Sequence, residues 1–151
     1  MTSKPIESPA RPVEVGCGPA RERVILAEDD GPMRRILAAG LRKNGYEVSE
    51  FTDGADLLEH VVTCLFSASL REKAAAIVSD IRMPGISGLR VLHGLRAFDA
   101  EMPVILITAF GDNETRDEAQ KHGAVLIDKP FELTELLAAI RASVERRQSP
   151  P

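Results

Sequence analysis

The sequence predicts an α/β protein in which a parallel sheet carries helices on both faces. Between residues 23 and 147, five short apolar segments alternate with five segments of helical periodicity. The apolar segments are almost continuous in hydrophobic residues, which is typical of strands buried on both sides. Right-handed crossovers between such strands give a doubly wound fold, and its binding site lies beyond the carboxyl ends of the strands.

Each predicted element follows from a local pattern. The predicted strands are RVILAE (23–28), YEVSEF (46–51), AAAIVSD (74–80), PVILITA (103–109) and AVLIDK (124–129). Pro32 suits the first turn of the first helix, and Gly45 suits its end. The later helices are predicted over GADLLEHVVTCLF, GLRVLHGLRAF, NETRDEAQKHG and LTELLAAIRASVERR.

Length and composition indicate one soluble domain of 151 residues. Residues 1–22 contain four prolines and are expected to form a flexible arm, the domain spans 23–147, and 148–151 form a short tail. A net charge of -4 without a dense basic block argues against nucleic-acid binding. The sequence has no apolar signal core and no segment of membrane-spanning length, so we expect a cytoplasmic protein that does not bind membranes.

The two cysteines, Cys17 and Cys64, form no CxxC motif and have no nearby set of histidines and cysteines. This usage argues against a disulfide scaffold or a zinc site and favours free thiols. His60, His93 and His122 share no spacing or partner in the sequence, so we expect ordinary helix residues. We expect four of the phenylalanines to be packing groups, namely Phe51, Phe66, Phe98 and Phe131.

The predicted strand ends collect charged and polar side chains at one edge of the sheet. In chain order these residues are Glu28, Asp29, Asp30, Asp80, Thr108 and Lys129. Clustered carboxylates repel one another and need a hard cation, for which Mg²⁺ is the expected ion. A carboxylate beside Mg²⁺ and an ammonium group can attack a phosphoryl group and form an aspartyl phosphate. Asp80 is the candidate nucleophile, and Thr108 is placed to hydrogen-bond the new phosphoryl group.

Four motifs together resemble the receiver domain of the two-component response regulators. They are ILAEDDGPMRR, IVSDIRMPGISG, VILITA and DKPF, and the resemblance covers about residues 22 to 147. The chain is similar to the single-domain, chemotaxis-type members of this family. The expected fold is therefore a doubly wound, five-stranded parallel sheet of flavodoxin-like strand order 2-1-3-4-5.

The resemblance implies a role for each residue at this edge. Asp80 would be the phosphoacceptor, and Thr108 and Lys129 would be the hydroxyl and the lysine of the family pattern. Phosphorylation would draw Thr108 inward and shift the surface formed by the fourth helix, fifth strand and fifth helix.

The resemblance also implies the ligands of the Mg²⁺ ion. Asp29 and Asp80 would bind it directly and Glu28 through water, with the main-chain carbonyl of Arg82 as a further ligand. Asp30 would be a neighbour of the ion and not a ligand.

The implied function is that of a phosphoacceptor switch. A histidine kinase or a phosphotransfer protein would supply the phosphoryl group. The phosphorylated form would bind an unknown output protein on the surface of the fourth helix, fifth strand and fifth helix, or dimerise through it. The chain would not be an enzyme in the usual sense, although it would assist its own phosphorylation and dephosphorylation.

Three other functions stay open at this point. The chain could be the receiver piece of a longer transcriptional regulator, although only four residues follow Arg147. It could be an Mg²⁺-dependent phosphatase, but those enzymes pair the nucleophile with an acid two positions on, where this chain has Arg82. It could be a phosphorylation-independent binding module, against which the intact acidic, threonine and lysine set argues.

Three features depart from the family pattern or tune it. Leu126 stands three positions before Lys129, where many receivers have an aromatic residue. The 27 positions from Asp53 to Asp80 are more than usual, so TCLFSASLREKAA is an extended second helix or an inserted loop, either a tolerated surface insertion or a docking segment. Arg82 and Phe110 occupy the positions that flank the phosphoryl group in the family and tune its lifetime.

Overall fold

A computed structural model of the chain describes residues 21–67 and 74–148. Its strands are β1 (Arg23–Ala27), β2 (Glu47–Phe51), β3 (Ala76–Asp80), β4 (Val104–Thr108) and β5 (Val125–Asp128). They form one parallel sheet in the order β2-β1-β3-β4-β5. The predicted fold class and strand order are therefore confirmed.

Five helices connect the strands. They are α1 (Gly31–Lys43), α2 (Gly54–Ser67), α3 (Gly88–Arg96), α4 (Asn113–Lys121) and α5 (Leu133–Gln148). The Ser87 hydroxyl caps α3 by accepting the N–H of Arg90, and Asp112 caps α4 in the same way. The third and fourth helices end two residues earlier than predicted, because Ala97 and His122 already serve as their C-caps.

The helices cover the sheet in two layers. Helices α1 and α5 pack on one face, and α2, α3 and α4 pack on the other. Successive strand residues alternate between the two cores, as the two-residue period of a strand requires. Among the helices, α4 is anchored weakly, because Ala119 is its one buried residue.

Two exposed phenylalanines differ from the expectation that they pack in the core. Phe66 and Phe98 are 87% and 71% exposed. Phe66 lies in the last turn of α2, and Phe98 lies two positions beyond the end of α3. Phe51 and Phe131 do pack against the cores as expected.

Some of the sequence-based expectations concern segments outside the described residues and stay predictions. The arm at 1–20, the tail at 149–151 and residues 68–73 of the long connection lie outside the described residues. Within the described part of that connection, α2 continues to Ser67. No helix in the described ranges has both the length and the apolar character needed to cross a membrane.

Candidate functional site

The parallel register brings the candidate residues to one edge of the sheet. Asp80 is the last residue of β3 and is only 6% exposed. The Lys129 Nζ donates to Asp80 Oδ2 at 2.9 Å and to Glu28 Oε2 at 3.4 Å. The backbone N–H of Lys129 also donates to the carbonyl of Thr108 at 2.8 Å, which ties the lysine to the end of β4. One ammonium thus contacts two carboxylates, one at the end of β3 and one directly after β1.

Glu28 is the most deeply buried charged group at this edge, with 1% of its surface exposed. Burial and the nearby charge of Asp80 together raise the pKa of Glu28 to about 7, against the opposing effect of Lys129. The N–H of Asp30 donates to Glu28 Oε1 at 3.2 Å, which favours the charged form but does not offset the burial. The Lys129 ammonium therefore compensates only part of the negative charge of the carboxylates at this site.

The same groups also shift the pKa of Lys129. Burial lowers the pKa of Lys129, but its hydrogen bonds and its attraction to Asp80 and Glu28 outweigh that effect and raise the pKa above its ordinary value. The side chain therefore stays an ammonium at neutral pH and holds a positive charge against Asp80.

Three carboxylates at this edge form a candidate cation site. One oxygen each from Glu28, Asp29 and Asp80 lies within 4.8 Å of the others. The donors are all hard oxygens, and Asp29 is exposed at the mouth of the site, so the set suits Mg²⁺ with several retained waters. The raised pKa of Glu28 supports this fit, because a bound cation would supply the missing positive charge. Asp30 does not belong to the cluster as the described residues define it.

The loop after β3 supports Asp80 with backbone groups. The N–H of Arg82 donates to Asp80 Oδ1 at 3.0 Å, so the peptide of Arg82 lies beside the carboxylate. Thr108 is buried at the end of β4, one position after Ile107, which is the register partner of Asp80. The Thr108 Oγ1 accepts the N–H of Phe110 at 3.1 Å, which holds the hydroxyl in the loop that leads to α4.

Two exposed side chains meet across the mouth of the site. The Arg82 guanidinium lies 5.1 Å from the centroid of the Phe110 ring, in a cation–π contact. Arg82 belongs to the loop after β3 and Phe110 to the loop after β4. The contact therefore links the two loops that frame Asp80.

The structure adds supporting residues that sequence reasoning did not assign. Arg34 of α1 donates to the carbonyl of Glu28 at 2.9 Å and fixes the end of β1. A Cβ at Gly88 would lie 2.4 Å from the carbonyl oxygen of Asp80, so only glycine lets α3 begin this close to β3. Gly88 stands within the IVSDIRMPGISG motif, whereas nothing in the sequence alone pairs Arg34 with Glu28.

The expectation that the histidines have no shared partner is wrong for two of them. The rings of His93 and His122 lie 4.2 Å apart between centroids. His93 Nε2 also lies 2.8 Å from Glu118 Oε2. The 29 positions between the two histidines hide this contact in the sequence, because only the packing of α3 beside α4 creates it.

The described chain is thus a doubly wound sheet with an acidic cluster, a buried aspartate and a lysine at its carboxyl edge. Residues 24–141 match the model of the response regulator receiver domain. The chain therefore belongs to the receiver domain family of response regulators, the class of domain used in two-component signalling.

Individual relatives agree with this assignment. The chain is 39% identical over 124 residues to the transcriptional regulatory protein FixJ of Azorhizobium caulinodans, a match that covers 82% of this chain and 55% of FixJ. It is 35% identical over 130 residues to the C4-dicarboxylate transport transcriptional regulatory protein DctD of Pseudomonas aeruginosa, covering 85% of this chain and 26% of DctD. The chain thus spans about half or less of the length of these relatives.

Solved structures agree on the fold. A response regulator receiver domain protein from Clostridium thermocellum superimposes with a TM-score of 0.75 at 22% sequence identity. The match covers 84% of this chain and 97% of that protein.

Proposed function

We propose that this chain is a phosphoacceptor switch and that Asp80 receives a phosphoryl group from a phosphohistidine of a histidine kinase or phosphotransfer protein. The observation that carries the proposal is the contact between the buried Asp80 carboxylate and the Lys129 ammonium at 2.9 Å, beside two further carboxylates. A buried nucleophile with a fixed cation and an adjacent cation site is the equipment that phosphoryl transfer requires.

The proposed transfer replaces one bond to phosphorus with another. A carboxylate oxygen of Asp80 forms the new O–P bond while the N–P bond of the phosphohistidine breaks, and the electron pair of that bond leaves with the histidine nitrogen. The Lys129 ammonium then lies beside a phosphoryl oxygen and balances part of its charge. The backbone N–H of Arg82 keeps the carboxylate oriented throughout, because it already donates to Oδ1.

Mg²⁺ is the cofactor we propose for this reaction. Asp29 and Asp80 would bind it directly, with Glu28 through water and the carbonyl of Arg82 as a further ligand. When bound, the ion neutralises charge on the phosphoryl oxygens and on the carboxylates. The Glu28 carboxylate would attract both the ion and the Lys129 ammonium, which lies 3.4 Å from Oε2.

Two groups would govern the phosphorylated state. Thr108 can hydrogen-bond a phosphoryl oxygen with its hydroxyl hydrogen, since the hydroxyl oxygen now only accepts from Phe110. The Arg82–Phe110 pair joins the loops after β3 and β4 and would restrict the water that hydrolyses the acyl phosphate. We infer that the chain assists these steps on its own aspartate and does not turn over an external substrate.

The proposed partner surface lies next to the loop that connects Thr108 to α4. Thr108 leads into α4, and this helix is held to the core by the single buried side chain of Ala119. A helix held this weakly can shift at small energetic cost. We therefore propose that the face formed by α4, β5 and α5 binds the output protein, or a second copy of the chain, in a cytoplasmic pathway.

A second candidate is the receiver part of a longer transcriptional regulator. The observation that favours it is the coverage of the relatives, since this chain matches only 55% of FixJ and 26% of DctD. In that case the same switch would act on an output domain of the same polypeptide. Neither alternative requires nucleic-acid contacts by the receiver domain itself.

The test is intact-protein mass spectrometry after incubation with Mg²⁺ and acetyl phosphate. We expect one phosphoryl adduct in the natural chain, and its loss in Asp80→Asn and after metal removal. Asp29→Asn should also lower adduct formation, whereas Asp30→Asn is the matched control and should retain it. An adduct that persists in Asp80→Asn, or a folded natural chain that forms none with acetyl phosphate or a phosphorylated histidine donor, would contradict the proposal.

A further inference from the structure

A second cluster of potential metal ligands lies away from the sheet edge, between α3 and α4. It consists of His93 on α3 and of Glu118 and His122 at the end of α4. One ligand atom from each residue lies within 4.8 Å of the others. The three side chains are exposed or half-buried, so a hydrated ion can reach them from solvent.

The backbone holds these residues in place. Glu118 and His122 are four positions apart, so they project from the same side of α4, and the N–H of His122 donates to the carbonyl of Glu118 at 3.2 Å. The Arg96 Nε donates to the carbonyl of His122 at 2.6 Å and ties the end of α4 to α3. Gly123 follows at a φ of 71°, a conformation that ends the helix directly after the ligand. The site is therefore built on two helix surfaces that are already joined.

The donor set favours a transition metal ion over Mg²⁺. Two imidazole nitrogens and one carboxylate oxygen are ligands that Zn²⁺ takes in sites that keep one position open for water. With Zn–N distances of about 2.0–2.1 Å, tetrahedral ligand atoms lie roughly 3.3 Å apart. The ligand atoms of His93 and Glu118 are already 2.8 Å apart, so binding requires them to separate slightly.

We propose that His93, Glu118 and His122 form a binding site for Zn²⁺ or a similar divalent transition metal ion, with water completing the coordination. The cysteine usage predicts that the chain has no zinc site, but this cluster uses no cysteine. Because Ala119 is the one buried residue of α4 and the contacts of this helix with α3 are polar, the metal would strengthen the attachment of α4 to α3. The site is independent of the acidic cluster at Asp80 and does not rest on phosphorylation.

The first experiment is a calorimetric titration of the metal-free chain with Zn²⁺ in excess Mg²⁺, which occupies the acidic cluster. The variants His93→Gln and His122→Gln each remove one ligand, and each should weaken the binding at least about tenfold, since even changes around a ligand cost that much. His60→Gln is the matched control, because His60 lies on α2 beside Cys64 and could bind zinc there instead. Unchanged affinity in both His93→Gln and His122→Gln, or loss of binding in His60→Gln, would overturn the proposal.

A second measurement separates a lost ligand from a damaged fold. Hydrogen exchange of the α4 amides should slow on addition of Zn²⁺ in the natural chain and stay unchanged in His93→Gln, a substitution on a different helix. Circular dichroism of each variant without metal should match that of the natural chain. If Zn²⁺ protected α4 equally in His93→Gln, the ion would bind elsewhere and the proposed site would be wrong.

Discussion

The burial of Glu28 makes the metal-free protein less stable as the pH rises. Its pKa is about 7 in the folded chain and 4.5 when exposed, so the folded state binds more protons between these values. Stability contributed by the protonated carboxyl is fully present below about pH 4.5 and is lost as the pH rises through about 7. A glutamine at position 28 has the same size and keeps an oxygen that can accept the N–H of Asp30, but its side chain cannot ionise.

The expected magnitude follows from the two pKa values of Glu28. A difference of one between the folded and exposed pKa corresponds to about 1.4 kcal/mol, and between pH 5 and pH 8 the ionisation of Glu28 costs on the order of 2.5 kcal/mol. We compare the unfolding free energy of Glu28→Gln with that of the natural chain at each pH. The difference should therefore increase in favour of Glu28→Gln by about this amount from pH 5 to pH 8. Urea unfolding in a chelator, followed by circular dichroism, measures it.

The control is Glu59→Gln, because Glu59 is exposed on α2 and should show no such growth with pH. Addition of Mg²⁺ at pH 8 should stabilise the natural chain and Glu59→Gln more than Glu28→Gln, since the ion replaces the missing positive charge. A Glu28→Gln gain that is the same at pH 5 and pH 8 would refute the reasoning, because it would show that Glu28 has an ordinary pKa.

Three further predictions concern stability, each measured by urea unfolding. Gly54→Ala should destabilise the chain by about 1–3 kcal/mol, because its Cβ would lie 1.8 Å from the carbonyl oxygen of Ile86; a neutral result would mean that this loop yields freely. Gly94→Ala, at an exposed position of α3 with room for a Cβ, should instead stabilise it by about 0.5–1 kcal/mol, and a loss would reveal an unrecognised contact. Asp99→Ala should cost about 3 kcal/mol, because it removes the carboxylate that the largely buried Arg147 guanidinium contacts at 3.2 Å; a cost below about 1 kcal/mol would show that other groups compensate the charge.

Much of the fold was predictable because strands and helices leave periodic patterns in the sequence. The apolar run that ends in Asp80 identified β3, and its position identified the edge where the site lies. The family resemblance of the residues before MRR distinguished Glu28 and Asp29 from Asp30 as expected ligands, and this assignment stays a prediction. In the structure, the carboxylates of Glu28, Asp29 and Asp80 lie close together. These features depend on neighbours in sequence or on the rule that parallel strands end together.

Contacts between distant side chains were not predictable. The pairing of His93 with Glu118 and His122 depends on how α3 and α4 lie side by side, and no local pattern encodes that. The exposure of Phe98 was not predicted for a related reason. A hydrophobic residue near a helix end looks like a core residue in the sequence, although its side chain lies at the surface. The hydrogen bond from Arg34 to the carbonyl of Glu28 likewise needs the turn between β1 and α1 to be known.

The separation of the site residues along the chain has a consequence for protein synthesis. Lys129 contacts Glu28 across 101 positions and Asp80 across 49. A ribosome must therefore release the chain beyond Lys129, and β5 must join the sheet, before the ammonium reaches the carboxylates. Since long-range contacts form late and slowly, a nascent chain would present the acidic residues without their ammonium partner until Lys129 has joined them. Under the proposed function, a phosphodonor would thus find a competent acceptor only on chains that have completed the sheet.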